Sequence, residues 1–213
     1  ILNHFKYKTK YKEIKILNEQ NKLFKSVNLN RNKGINLYFD LIKKYPFLSS
    51  NMSSEHSIIF CALKFSKYKV KNILEIGTYD AKNSFLLSKV FPNSNIDTYD
   101  LKHSSKAFKT TYGRDSTKKL KNFLKDRDTI LNKKNNISFH EINSILLSLE
   151  IKKKYDLIWL DGAHSFPHVA VDIANSLRLV NKNGVIFILN LDSYKNELPT
   201  FSLMDKKLKN SFK

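Results

Sequence analysis

The segment ILEIGTYDAKNS carries one glycine, Gly77, between the carboxylates of Glu75 and Asp80. Turns that hold a dinucleotide pyrophosphate carry several glycines in the pattern G-x-G-x-x-G, and two acids here would repel the phosphates. Asp100 comes 25 residues after Glu75, close to the spacing at which a carboxylate accepts both hydroxyls of a ribose. We therefore expect the turn to bind an adenosine that carries a positive centre and an amino-acid group.

Apolar segments alternate with amphipathic segments from residue 70 onwards, which is the pattern of an α/β protein. Near-continuous apolar strands predict a mostly parallel sheet covered by helices on both faces. We expect strands at 70–76, 95–99, 137–140, 156–160 and 185–191, and helices at 82–90, 116–131 and 167–179. The first third of the chain predicts only helices, at 6–24, 35–45 and 55–67.

Acids and amides follow most of the predicted strands, at the edge where an open α/β sheet binds its ligands. The positions are Asp100-Leu101 after the second strand, Asn143-Ser144 after the third, Asp161 after the fourth, and Asn190 and Asp192 after the fifth. Solubility alone does not require polar residues at these particular points. The sequence therefore predicts a binding site along this edge of the sheet.

Five motifs in order resemble a known family. The segments LEIGTYDAKNSFLLSK, IDTYDL, ISFHEINS, YDLIWLDGAHSF and NGVIFILN are similar to the motifs of class I S-adenosylmethionine (SAM)-dependent methyltransferases. The D-G-x-H sequence after the fourth strand resembles the bacterial small-molecule members. The resemblance covers about residues 52–192. It implies a Rossmann-like methyltransferase domain at 52–213, preceded by a basic helical extension at 1–51.

The resemblance also implies a set of cofactor-binding residues. The methionine part would contact Glu75, Gly77, Thr78 and Tyr79, the ribose Asp100, and the adenine edge Asn143 and Ser144, with Leu101 and Asp161 completing the set. Residues 52–55 would close over the cofactor. Asn143 replaces the usual aspartate, but its carbonyl oxygen can still accept from an adenine amino group. Ala81 replaces a second glycine, at a helix start where we expect small size to matter more than positive φ.

The chemistry that the resemblance implies is methyl transfer to an oxygen of a small molecule, a sugar or a metabolite. His164, three residues after Asp161, would act with it in catalysis as the general base, since histidine titrates near neutral pH. A helix-capping or core histidine is the alternative. In metal-assisted relatives the position of Asp161 holds a divalent cation, Mg²⁺ here, with Asn190 and Asp192 as the further candidates.

Composition leaves a second class of partner open. The formal net charge is +19 and the pI is about 9.8, yet only four of the 38 basic residues are arginine. Lysine cannot copy the bidentate contacts that arginine makes with phosphates and bases, so we favour solvated surface lysines as the explanation. The alternative functions are an RNA methyltransferase that holds nucleic acid with its basic N-terminal third, and a non-catalytic binding protein on the same fold.

Cys61 is the only cysteine, so no internal disulfide can form, and a reducing, cytoplasmic location fits best. No apolar run reaches the roughly 18 residues of a transmembrane helix. A homo-oligomer is compatible with the sequence. The residues after Asp192 resemble a loop and a lysine-rich helix, so we expect the sheet to lack the last strands of the family or to be completed by a partner.

Overall fold

The computed structural model of the chain describes residues 13–50, 52–111, 114–163, 166–188 and 202–204. Its α-helices are α1 (Glu13–Ser26), α2 (Arg31–Lys44), α3 (Ser54–Leu63), α4 (Lys82–Val90), α5 (Lys106–Thr110), α6 (Thr117–Leu131), α7 (Leu147–Glu150) and α8 (His168–Leu179). Short 3-10 helices cover Pro46–Ser50 and Ser144–Leu146. In the described residues, three α-helices and one 3-10 helix precede the first strand.

The strands of the described residues form one six-stranded sheet. They are β1 (Asn72–Ile76), β2 (Asn95–Asp100), β3 (Ile137–Glu141), β4 (Tyr155–Leu160), β5 (Val180–Ile188) and β6 (Ser202–Met204). The order is β3-β2-β1-β4-β5-β6, and the pairs are parallel except for β5 with β6. The expected α/β fold with a mostly parallel sheet is therefore confirmed. The strand order reverses between β1 and β4, and ligands of such sheets bind at this reversal.

Both faces of the sheet carry a buried core, because successive strand residues point to opposite sides. Ile73 of β1 belongs to a cluster with α2, α3 and α4, whereas Leu74 belongs to a cluster with α7 and α8. Trp159 of β4 lies in the first cluster and is fully buried. Its ring centroid is 5.1 Å from that of Phe60 and 5.6 Å from that of His56. Helix α3 therefore packs directly over the end of β4.

The N-terminal helices pack against α3 at short range. A Cβ at Gly34 of α2 would lie 2.6 Å from the carbonyl oxygen of Ile58, so the glycine lets the two backbones approach. Arg31 of α2 bonds to the carboxylate of Glu55 in α3. Phe24 of α1 is buried in the same cluster as α3 and the sheet. The helices thus share their core with the sheet, and the division between the two predicted domains stays a prediction.

Two segments differ from the sequence-based expectation. Residues 202–204 pair antiparallel with residues 186–188, so the stretch after Asp192, expected as a loop and a helix, contains a sixth strand. Three residues are too few to show the alternation that marks a strand in a sequence. Helix α5 was also not expected, since its five residues bury one apolar side chain, Phe108, and show no helical period.

Candidate functional site

A cavity of about 560 Å³ lies at the carboxyl ends of β1, β2, β3 and β4. Its lining includes Gly77 and Tyr79 after β1, Asp100 and Leu101 at the end of β2, Asn143 and Ser144 after β3, and Asp161 after β4. The structure therefore brings most of the strand-end residues singled out from the sequence to one place. The volume is in the range of small-molecule sites in proteins.

A smaller cavity of about 200 Å³ adjoins the first, and Gly77, Tyr79 and Asp161 line both. Its other lining residues are Ser50, Met52, Thr78, Asp80 and Asn83. Met52 therefore lies beside the site, as expected for the segment 52–55. Glu55 at the other end of that segment pairs with Arg31 instead. The two cavities together form one bent site around the turn at Gly77.

Gly77 lets the ends of β1 and β4 touch. Its φ is +97°, and a Cβ at this position would lie 2.1 Å from the carbonyl oxygen of Asp161. The amide of Gly77 donates to the carbonyl of Tyr99, and the amide of Asp161 donates to the carbonyl of Ile76, both at 2.8 Å. The chain itself therefore requires glycine here, whether or not a ligand contacts it.

Replacing Gly77 by alanine is expected to destabilise the fold by about 3 kcal/mol or more, because a positive φ and a clash with backbone add together. Gly162→Ala is the matched control. Its Cβ would meet the side chains of Asp172 at 3.1 Å and Ile76 at 3.2 Å, so a loss of about 1 kcal/mol is expected. Urea unfolding of both variants measures the difference. Equal losses would show that the contact with Asp161 is unimportant.

Ala81 and Tyr79 adopt the left-handed conformation as well, with φ of +62° and +47°. The expectation that size matters more than φ at Ala81 is wrong, because the residue is both fully buried and left-handed. A left-handed conformation costs a non-glycine residue about 1–2 kcal/mol. With Gly77, three residues of this turn have positive φ. Such strain concentrates in loops that contact ligands.

Glu75 lies behind the cavity wall and does not line either cavity. Its carboxylate is fully buried and accepts hydrogen bonds from Asn83 Nδ2 at 2.7 Å, from Thr98 Oγ1 at 2.6 Å and from Ser84 Oγ. Burial raises the pKa of Glu75 to about 7, although these three bonds act in the opposite direction. The Glu75 carboxylate therefore ties α4 to β1 and β2 in this structure, and its expected contact with the ligand stays a prediction.

Thr78 is buried as well, although it lines the smaller cavity. Its hydroxyl lies 2.7 Å from the hydroxyl of Thr98, and its side chain is buried. Thr98 in turn donates to Glu75. Of the expected run after β1, Gly77 and Tyr79 line both cavities, whereas Thr78 mainly supports the Glu75 carboxylate.

Asp161 is the acid that faces both cavities. Burial, and after it the nearby charge of Glu75, together raise the pKa of Asp161 to about 7. The charge of Glu75 opposes the ionisation of Asp161, so the titrations of the two carboxyl groups are linked. A cation in the site would favour the ionised form of both.

Asp100 is held in place by the backbone around it. Oδ2 accepts from the amide of Tyr79 at 2.9 Å, and Oδ1 accepts from the amide of Leu101 at 2.7 Å. Burial raises the pKa of Asp100, while the two amides and the charge of Arg114 oppose this. A carboxylate oxygen can accept more than one hydrogen bond. Asp100 can therefore still accept from two hydroxyls of a ligand.

Asn143 and Ser144 form the opposite side of the larger cavity. Asn143 Oδ1 accepts from the amide of Ile145 at 3.1 Å and caps the 3-10 helix that follows β3. The carbonyl of Ser144 accepts from Asn175 Nδ2 at 2.8 Å. These bonds fix the loop, and a second lone pair on Asn143 Oδ1 is compatible with the expected acceptor role.

Arg114 is a cavity residue that the sequence did not single out. It is buried and lines the larger cavity, with its guanidinium carbon 3.8 Å from the ring centroid of Phe108 and 4.8 Å from that of Phe123. The ring of Tyr79 lies 5.4 Å from that of Phe123. The one feature of the sequence that could have pointed to Arg114 is its residue type, because the chain has only four arginines.

Two titratable residues of α8 lie at the same end of the sheet. His168 begins α8 and lines the larger cavity. Asp172, one turn later, is buried, and burial raises its pKa. A Cβ at Gly162 would lie 3.1 Å from Asp172 Oδ2. Asp172 could have been found from the sequence, because it is an acid within the apolar stripe of a predicted helix.

His164, Asn190 and Asp192 lie outside the described residues, so their catalytic and metal-binding roles stay predictions. Within the described ranges, no three His, Cys, Asp or Glu side chains form a group that could hold a metal ion. Asp161 is the described member of the expected metal set. The same ranges contain no helix that is both long and apolar enough to cross a membrane.

Solved structures with this fold include methyltransferases. The O-methyltransferase TomG of Streptomyces achromogenes, involved in tomaymycin synthesis and solved in complex with SAM, is 14% identical over 88% of this chain and 81% of TomG, with a TM-score of 0.50. The chain shares the fold of TomG. The SAH-bound methyltransferase PaMTH1 of Podospora anserina is 16% identical over 70% of this chain and 60% of PaMTH1, with a TM-score of 0.46. No protein-family model and no curated protein sequence matches the chain.

Proposed function

We propose that the protein is a SAM-dependent methyltransferase that acts on an oxygen of a small molecule, a sugar or a metabolite. The observation that carries the proposal is the cavity at the β1–β4 reversal, with Asp100 at the end of β2 and Asp161 at the end of β4. The charge of Glu75 raises the free energy of ionisation of Asp161, so a positively charged ligand is favoured there. A sulfonium and an ammonium group both meet this requirement.

The described residues fit the parts of SAM in order along the sheet. Asp100 would accept from the ribose hydroxyls, Asn143 and Ser144 would hold the adenine edge, and the methionine part would lie between Tyr79 and Asp161. Bound SAM supplies a methyl group already activated by the sulfonium. The protein then has to align the acceptor and remove the proton of its hydroxyl.

The proposed base is His164, with Asp161 as its neighbour. His168 is a second candidate, because it lines the cavity. The metal alternative keeps Asp161 and Asn190 as ligands of a divalent cation that lowers the pKa of the acceptor hydroxyl. The fold shared with TomG, an O-methyltransferase, supports oxygen as the acceptor atom. A cytoplasmic location stays part of the proposal.

Calorimetric titration with SAM, SAH and NAD⁺ tests the proposed function. SAM and SAH are expected to bind with one molecule per chain and a Kd of about 1–100 µM, or about −5 to −8 kcal/mol. NAD⁺ is the control, since Glu75 and Asp80 surround a turn that carries only one glycine and would repel a pyrophosphate. Absence of SAM binding by folded protein at millimolar concentration would overturn the proposal.

A further inference from the structure

Four lysines from three elements converge away from the cavity. Lys44 ends α2, Lys89 lies in the last turn of α4, and Lys133 and Lys134 follow α6. Helix α4 begins beside the turn at Gly77, so its last turn lies one helix length from the site. We name these four lysines, together with the adjacent Tyr45 and Phe47, the lysine cluster.

Three amino groups of the lysine cluster lie over two neighbouring aromatic rings. The Nζ atoms of Lys89 and Lys44 lie 4.5 Å and 5.7 Å from the ring centroid of Tyr45. The Nζ atom of Lys133 lies 4.9 Å from the ring centroid of Phe47. The two ring centroids are 6.4 Å apart. The positive charges are therefore confined to one compact patch.

Like charges in this patch act on each other. The pKa of Lys134 is lowered, chiefly by its interaction with the neighbouring Lys89. The pKa of the Tyr45 phenol is lowered too, first by its hydrogen bond with Lys89. Among the described residues, none of the four lysines forms an ion pair with an acid, whereas three lysines elsewhere do. The repulsion is therefore not relieved by the described part of the chain.

An interaction with a helix end can explain the position of each lysine by itself, but it does not explain why the lysines come together. The last carbonyls of a helix carry a partial negative charge and attract one cation each. Lysine side chains are long and flexible, so amino groups at three helix ends could spread into solvent. Instead, the amino groups of Lys44, Lys89 and Lys133 gather on the neighbouring rings of Tyr45 and Phe47. A shared anion accounts for this convergence.

We propose that the lysine cluster binds a compact, multiply charged phosphate group of a small phosphorylated ligand. Ammonium groups act as point charges and suit phosphate from several directions, and the Tyr45 hydroxyl adds a donor. An extended RNA strand would need basic residues along a groove, whereas these charges lie around one pair of neighbouring rings, Tyr45 and Phe47. The site is independent of methyl transfer, because it shares no residue with either cavity.

Calorimetric titration of the full chain with sodium tripolyphosphate tests this site. The wild type is expected to bind one molecule, and the double variant Lys89→Gln/Lys134→Gln to bind at least about tenfold more weakly. The matched control is Lys118→Gln/Lys121→Gln, which removes the same charge from exposed positions of α6. The control is expected to bind within about twofold of the wild type. Equal weakening in both variants, or no saturable binding, would overturn the proposal.

Thermal unfolding without phosphate gives a second readout. Removing Lys89 and Lys134 is expected to raise Tm, because their repulsion is relieved, whereas a helix-capping role predicts a lower Tm and would count against the proposal. Titration with single-stranded RNA of roughly 12 nucleotides forms the last arm. RNA binding that depends on the cluster, without tripolyphosphate binding, would replace the compact ligand by a nucleic acid. The outcomes of the phosphate and RNA titrations do not bear on the test of SAM binding. Each of the two proposals can therefore be overturned without the other.

Discussion

Replacing Asp100 by alanine is expected to weaken SAM binding by at least about 100-fold, because the ribose would lose two hydrogen bonds to a charged acceptor. The variant also removes the acceptor of the Tyr79 amide, at 2.9 Å, and so loosens the strained turn. Asp100→Asn keeps one carbonyl oxygen as an acceptor and is expected to fall between the wild type and Asp100→Ala. Calorimetry with SAM measures the three affinities.

Asp97→Ala is the control for Asp100→Ala, since it removes the same charge from the same strand. Asp97 accepts from Lys153 Nζ at 2.7 Å and from the Tyr155 hydroxyl at 2.9 Å, and it lines neither cavity. Its loss is expected to lower stability but to leave SAM affinity within about twofold. If Asp97→Ala and Asp100→Ala weaken binding alike, Asp100 has no specific role at the ribose.

SAM affinity is expected to rise with pH through about 7, by up to tenfold for each pH unit in which one proton is released. The cause is the pair Glu75 and Asp161, whose pKa values of about 7 keep the pair partly protonated at neutral pH. A cationic cofactor favours both carboxylates, so it binds more tightly once the protons have left. Calorimetry between pH 5.5 and 7.5, in two buffers of different ionisation enthalpy, gives the affinity and the number of protons released.

The variant Glu75→Gln distinguishes the contribution of Glu75 to the pH dependence of SAM binding from that of Asp161. The variant removes one titration and the charge that raises the pKa of Asp161, so the pH dependence of binding is expected to shrink and to move to lower pH. An affinity that stays constant with pH in the wild type would contradict the coupling. An affinity that falls as pH rises would contradict the sign.

The burial of Glu75 also makes the folding stability of the ligand-free protein depend on pH, in the direction opposite to that of SAM affinity. The pKa of Glu75 is raised above its unfolded value, so its contribution is fully present below the unfolded pKa and is lost as pH rises through about 7. The loss is on the order of 3 kcal/mol for a shift of this size. Cofactor binding and stability therefore respond in opposite directions to pH between about 5 and 7.

Sequence patterns were sufficient for the sheet and for the edge that holds the site. From apolar runs and turn residues, the predicted starts of β1, β2 and β4 lie within two residues of the observed starts. Asp100, Asn143 and Asp161 were expected at strand ends, and the parallel sheet brings all three to one cavity. Parallel strands made this possible, because their carboxyl ends share one edge.

Side-chain direction and backbone conformation could not be deduced in the same way. Glu75 precedes the turn, yet it points into the core, where Asn83 and Ser84 of the following helix supply its hydrogen bonds. The positive φ of Ala81 could not be predicted from its residue type, because alanine does not favour that conformation. Arg114 lines the cavity together with Ala107, Phe108 and Thr111 at and just after α5, and no periodic pattern in the sequence predicts that helix.

Trp159 is the only tryptophan of the chain, and its position gives the protein an intrinsic optical probe. It is fully buried and lies opposite Glu75 in the β1–β4 register, two residues before Asp161. Burial lowers the pKa of the neighbouring His56 to about 4, so that imidazole stays neutral while the carboxyl pair titrates. A change in tryptophan emission near neutral pH would therefore follow the ionisation of Glu75 and Asp161, without any label.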